Sequence, residues 1–153
     1  MSASATVPPF HICVQSSEMA VRTALKELLR GLAPLRLDVD DTGTVELVMS
    51  EALNNIVEHA YPAEDEDGPI NILCEHAADG LHLKVVDQGR AMPNGILPVG
   101  ASVDLEVDLH NMPEGGFGWF LIRDLAKEVR YERTDWENRL MFRLAVAMKA
   151  SAA

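Results

Sequence analysis

Apolar residues recur along this chain with two periods. Residues 10–15 alternate, with Ile12 and Val14 on one side, and predict an opening strand. Ser16, Ser17 and Glu18 offer the N-cap of a helix. Met19, Val21, Ala24, Leu25, Leu28, Leu29 and Leu32 follow at helical spacing, and Gly31 with Pro34 ends the run. Asp40-Asp41-Thr42 opens a second, longer helix. Its stripe is Val45, Val48, Met49, Ala52, Leu53 and Ile56, and it stops near Ala60-Tyr61-Pro62.

Residues 63–69 carry four acids and read as a loop. Two strands are predicted over 70–76 and 81–86. Only Ala78-Asp79-Gly80 lies at their junction, so they form an antiparallel hairpin. Residues 87–114 have weak periodicity and hold Gly89, Pro93, Gly95, Pro98, Gly100 and Pro113. A segment this long is expected to be functional or mobile, such as a lid. Gly115-Gly116-Phe117-Gly118 leads into a helix over about 119–128, and two last strands fit 129–134 and 139–146. The order is β-α-α-β-β-lid-α-β-β. It predicts an α+β two-layer sandwich with a mixed, mostly antiparallel sheet and helices on one face. No repeat or linker divides it, so residues 1–153 are expected to be one domain, with a core over about 10–146 and frayed tails.

Composition narrows the function. Hydrophobic residues at 48% and charged residues at 24% suit a globular protein, and no apolar run approaches a membrane span. The first residues lack the basic and apolar segments of a signal peptide, which makes a cytoplasmic location the default. A formal net charge of −11 repels phosphate backbones and argues against DNA or RNA as a partner. It leaves nucleotide binding open, since Mg²⁺ and backbone N–H groups hold phosphates without a basic surface. Cys13 and Cys74 lie in apolar stretches outside any CxxC pair and are expected to be reduced, strand-borne core thiols.

Three sites carry candidate chemistry. In Ser50-Glu51-Ala52-Leu53-Asn54-Asn55, Glu51 and Asn55 are four apart and share a helix face about 6 Å apart along the axis. A carboxylate can accept a proton from a nucleophile, and an amide oxygen can ligate Mg²⁺. Asn54 would then take the solvent side. Asp87-Gln88-Gly89 ends a strand. Its carboxylate accepts hydrogen bonds only, which suits an exocyclic amino group, and its glycine lets backbone approach a flat ring. Gly115-Gly116-Phe117-Gly118 precedes a helix, whose free N–H groups suit phosphate. Each also has an ordinary explanation: a solvated polar face, an Asp-x-Gly turn and a glycine-rich hinge.

The ordered set Glu51-x-x-x-Asn55, Asp87-x-Gly89 and Gly116-x-Gly118 resembles the Bergerat (GHKL-type) ATP-binding fold of gyrase, a heat-shock chaperone, histidine kinases and MutL. Within it, the stretch from Ser50 through Glu51, Asn55 and His59 to Tyr61 is most similar to the anti-sigma-factor serine/threonine kinases. The resemblance extends over about 10–144. It implies ATP and Mg²⁺ as cofactors, with Glu51 as catalytic base, Asn55 as the Mg²⁺ ligand, Asp87 as the adenine contact, and Gly89, Ala91, Gly116 and Gly118 as further nucleotide contacts. It implies transfer of a phosphoryl group to an anti-anti-sigma (STAS) protein, and partner switching with a sigma factor. It also admits a homodimer.

Two departures stand out. The family often shows Asp-x-Gly-x-Gly, and here Ala91 takes the last place. From Met92 to Glu114 there is no Lys or Arg, whereas Asp104, Glu106, Asp108 and Glu114 are present. Negative charge beside a triphosphate is unfavourable unless screened, which leaves Arg90 and Arg123 as the nearest internal cations. A second reading is therefore a non-catalytic module of the same fold that binds ATP or sequesters a partner. A detached histidine-kinase catalytic domain would carry Asn at position 51. A gyrase- or MutL-like ATPase would need a transducer domain, for which the chain is too short.

Overall fold

A computed structural model of the chain describes residues 6–61, 67–90, 102–104 and 117–148, with the backbone alone in 102–104 and 117–120. The elements are β1 (Phe10–Gln15), α1 (Glu18–Leu32), α2 (Val39–Asn55), β2 (Pro69–Ala77), β3 (Gly80–Asp87), β4 (Ser102–Asp104), α3 (Phe117–Leu125), β5 (Lys127–Arg133) and β6 (Asn138–Leu144). A short 3-10 turn, Ala33–Leu35, follows α1, and a π-helical stretch, Ile56–Ala60, continues α2.

The strands form a six-stranded sheet in the order β1-β2-β3-β6-β5-β4. Every pairing among the described residues is antiparallel, and the expected α+β sandwich with a mostly antiparallel sheet and helices on one face is borne out. Alternation gives the sheet two unlike faces. Ile12, Ile70, Ile72, Cys74, Leu81, Leu83, Val85, Leu140, Phe142 and Leu144 are buried on one of them. His11, Cys13, Leu73 and Glu75, from the intervening positions, are exposed. Cys13 therefore departs from expectation: period two puts it opposite Ile12, on the outer face, while Cys74 is buried.

The helices cover the apolar face. Ser17 caps α1, its hydroxyl accepting from the Ala20 amide at 3.0 Å. Ala20, Val21, Ala24, Leu28 and Leu32 are buried along α1, whereas Met19 is 66% exposed. Met19 stands two residues from Val21, about 200° around the helix, and so misses the stripe. The cap of α2 is Asp38, two residues before the expected start, with its Oδ1 2.7 Å from the Asp41 amide nitrogen. All six residues of the expected α2 stripe are buried. Each of the five larger side chains among them contributes about 1.5–3 kcal/mol by leaving water.

Two boundaries are corrected. The third helix ends at Leu125, three residues short of Glu128, which belongs to β5. Glu128 has φ 54°, and the β5–β6 register shifts between Lys127 and Arg130. A left-handed residue at a bulge cannot continue an α-helix. The short strand β4 lies inside the stretch expected to be a lid without regular structure, and pairs with β5 at the sheet edge. The expected loop at 63–69 lies mostly outside the described residues, as does most of the expected lid.

Candidate functional site

Helix α2 presents Glu51 and Asn55 one turn apart, both half-buried, while Asn54 is exposed. Glu51 makes no ion pair or hydrogen bond among the described residues. The Asn55 Nδ2 atom is buried and finds no described partner. Such an atom is costly unless something meets it. Amide flips are interchangeable in shape, so the same position can present the oxygen that a hard cation requires. Directly after Asn55 the backbone widens into the π-helical stretch, a form frequent at functional sites. His59, one residue before its buried end at Ala60, is a surface residue.

Asp87 closes β3 on the inner face and is 4% exposed. Its Oδ1 accepts from the Gly89 amide at 2.9 Å and from the Asn138 Nδ2 at 2.7 Å. Burial pushes the Asp87 carboxyl above its ordinary range, while these two donors and the Arg133 guanidinium pull the other way. The turn after it is held to the end of the α2 run. The Arg90 amide donates to the Ala60 carbonyl at 2.9 Å, and the Gln88 amide to the Tyr61 hydroxyl at 2.7 Å. Tyr61 in turn donates to the Pro69 carbonyl at 3.0 Å. Gly89 has a packing reason to be glycine: a Cβ there would lie 2.3 Å from the Ala60 carbonyl oxygen. Its described neighbour is thus the helix end.

Gly118 lies in the first turn of α3, one residue inside the helix and not before it, and α3 packs against α2. Gly116 and Ala91 lie outside the described residues. The structure thus holds the Asp87–Gly89 turn to the end of the helical run that carries Glu51 and Asn55, and packs α3 against α2.

Sequence reasoning missed three residues. Asn138, the cross-strand partner of Asp87, is 2% exposed. Its Oδ1 accepts from the Tyr131 hydroxyl at 2.6 Å and from the Arg133 Nη1 at 2.9 Å. Arg133 Nη1 also donates to the Gly89 carbonyl at 2.7 Å. A signal for Asn138 existed: it holds a core-facing place in the alternation Asn138, Leu140, Phe142, Leu144, where a polar side chain needs a buried partner.

A magnesium nucleotide fits these residues in kind. Among the described residues, no cluster of three or more His, Cys, Asp or Glu could hold a metal. Mg²⁺ bound with a nucleotide needs only one or two protein ligands, because phosphates and water complete its shell. No described helix is long and apolar enough to cross a membrane.

Comparison with known proteins places the fold in a family. The model of the histidine kinase-like ATPase domain matches residues 14–144. The chain is 30% identical over 103 residues to a serine-protein kinase RsbW of Bacillus cereus, covering 67% of this chain and 63% of that protein. The figure for RsbW of Staphylococcus epidermidis is 35% over 92 residues, covering 59% and 57%. A sensor histidine kinase, PdtaS of Mycolicibacterium smegmatis, is 31% identical over 94 residues, covering 52% and 19%. The chain therefore spans less than two thirds of the length of each of these curated relatives. Among solved structures, the RsbU and RsbW domains of Rv1364c from Mycobacterium tuberculosis superpose with a TM-score of 0.64 at 23% identity, covering 92% of this chain and 33% of that one. The fold is shared, and the family model extends over residues 14–144: the chain belongs to the histidine kinase-like ATPase domain family.

Proposed function

We propose that this domain binds Mg-ATP and phosphorylates a serine or threonine of an anti-anti-sigma (STAS) partner, acting on transcription by switching between that partner and a sigma factor. The observation that carries the reading is the pair of hydrogen bonds, Arg90 to Ala60 and Gln88 to Tyr61, that lock the Asp87 turn to the helix bearing Glu51 and Asn55. A carboxylate suited to a nucleobase is thereby tied to the helical run that carries groups suited to a metal-bound triphosphate. The similarity to RsbW proteins supports the choice of acceptor.

When bound, Mg-ATP supplies the transferable phosphoryl group and the cation that offsets its charge. Asn55 would hold the cation through its amide oxygen. Asp87 accepts from the exocyclic amino group of the base. Gly89 and Ala91 would contact the base and Gly116 and Gly118 the phosphates, as the resemblance implies. Glu51 takes the proton of the incoming hydroxyl as that oxygen bonds to the γ-phosphorus and the bond to the leaving ADP oxygen breaks.

Glu51→Gln keeps the shape and removes the base. The expected outcome is loss of phosphate transfer from labelled ATP to a STAS protein by at least about 100-fold, with Mg-ATP affinity unchanged by calorimetry. Unchanged transfer would reject the assignment. The absence of Lys and Arg between Met92 and Glu114 favours a second reading, a module that binds nucleotide or partner without transfer. Nucleotide binding by the unaltered chain with no transfer to any STAS protein would select it.

A further inference from the structure

Asn138 is placed so that it has no freedom. Its Oδ1 accepts from Tyr131 and Arg133, and its Nδ2 donates to Asp87 Oδ1 at 2.7 Å and to the Arg90 carbonyl at 2.8 Å. Both protons and both lone pairs of the amide are used. Flipping it would set its oxygen against a carboxylate and a carbonyl, and its N–H groups against the Arg133 guanidinium, which can only donate. The orientation is therefore fixed by chemistry and not by shape. The consequence passes to Asp87. Both hydrogen bonds described for its carboxylate fall on Oδ1, from Asn138 and from the Gly89 amide. That pins the torsion of the group and leaves Oδ2 as the oxygen available to a ligand.

We propose that Asn138 is the positioning residue for the base-reading carboxylate, holding Asp87 as an oriented acceptor and so setting a preference for adenine over guanine nucleotides. The inference rests on the nucleotide reading above and adds to it a specificity device. Adenine offers an amino donor where guanine offers a carbonyl. An ionised, immobile carboxylate meets the first and repels the second. Without the Asn138 donor, the buried Asp87 is freer to turn and to hold a proton, since that hydrogen bond is the leading influence favouring its charged form. A protonated carboxyl can donate to a guanine carbonyl.

The test is calorimetric titration of Mg-ATP and Mg-GTP into the unaltered chain, Asn138→Ala and Tyr131→Phe, with thermal unfolding of each. Loss of a hydrogen bond to a charged group weakens ATP binding by about tenfold or more. Affinity for GTP is expected to hold or rise, so the ATP/GTP ratio falls, and falls further at lower pH. Tyr131→Phe removes one of the two donors that orient the amide, and is expected to lower the same ratio by less. It also decides the matter if Asn138→Ala does not fold. Equal losses for both nucleotides, with the ratio unchanged, would mean a merely structural role and overturn the inference. Failure of the unaltered chain to bind either nucleotide would overturn the nucleotide reading itself.

Discussion

Asp87 has only 4% of its surface exposed, and burial raises its proton affinity above that of a free carboxyl. The sign of the effect on stability follows from linkage. The folded state holds the proton more tightly than the unfolded chain, so the stability tied to protonation is complete below the usual 3.8. It is lost as pH rises through the raised value. Asp87→Asn cannot titrate. Its stability relative to the unaltered chain should therefore climb over the acid range and level off towards neutrality. Urea unfolding at intervals between about pH 4 and pH 7 checks this. A flat difference, or one that falls with pH, would show that the hydrogen bonds to Oδ1 outweigh burial. The same residue also explains why the site was only half legible. A carboxylate before a glycine at a strand end is visible in the sequence. Its cross-strand pairing with Asn138, 51 positions later, depends on register.

At the scale of elements, the contact that matters most joins the end of α2 to the turn after β3. Tyr61 bridges them, donating to Pro69 and accepting from Gln88. Tyr61→Phe keeps the ring and removes the bridge. The expected cost is about 1 kcal/mol in chemical unfolding, with faster hydrogen exchange at the Gln88 amide than in the unaltered chain. Unaltered protection of Gln88 would show that the turn is held by Arg90 and Ala60 alone. The helices were legible because their apolar stripes are long. The α2 stripe from Val45 to Ile56 is buried throughout. The π-helical stretch after Asn55 was not, because one extra residue in a turn leaves the apolar spacing almost intact. Glu128 was misassigned to α3 for a related reason: a bulge with a left-handed residue has no periodic signature.

Taken whole, the molecule is one apolar layer between helices and a sheet, with polar chemistry gathered where Asp87 and Asn138 pair in the last described register step of β3 and β6. The class of the fold was readable from the order of the elements, since hairpin-length links force antiparallel neighbours. The crossing of β6 next to β3 was not, because no local feature marks which strands meet across 51 residues. The same sheet decides what each thiol can do. Cys13 faces outward from β1, whereas Cys74 faces the helices with its thiol pushed up to about 12 by burial. Thiolate is the reacting form, so a thiol reagent should modify Cys13 promptly and Cys74 only when β1 and β2 part from the helices. The chain thus carries its own clock. In Cys13→Ser, the labelling rate of Cys74, followed by mass spectrometry, times the opening of the layer, and binding of the proposed nucleotide to the folded state should slow it.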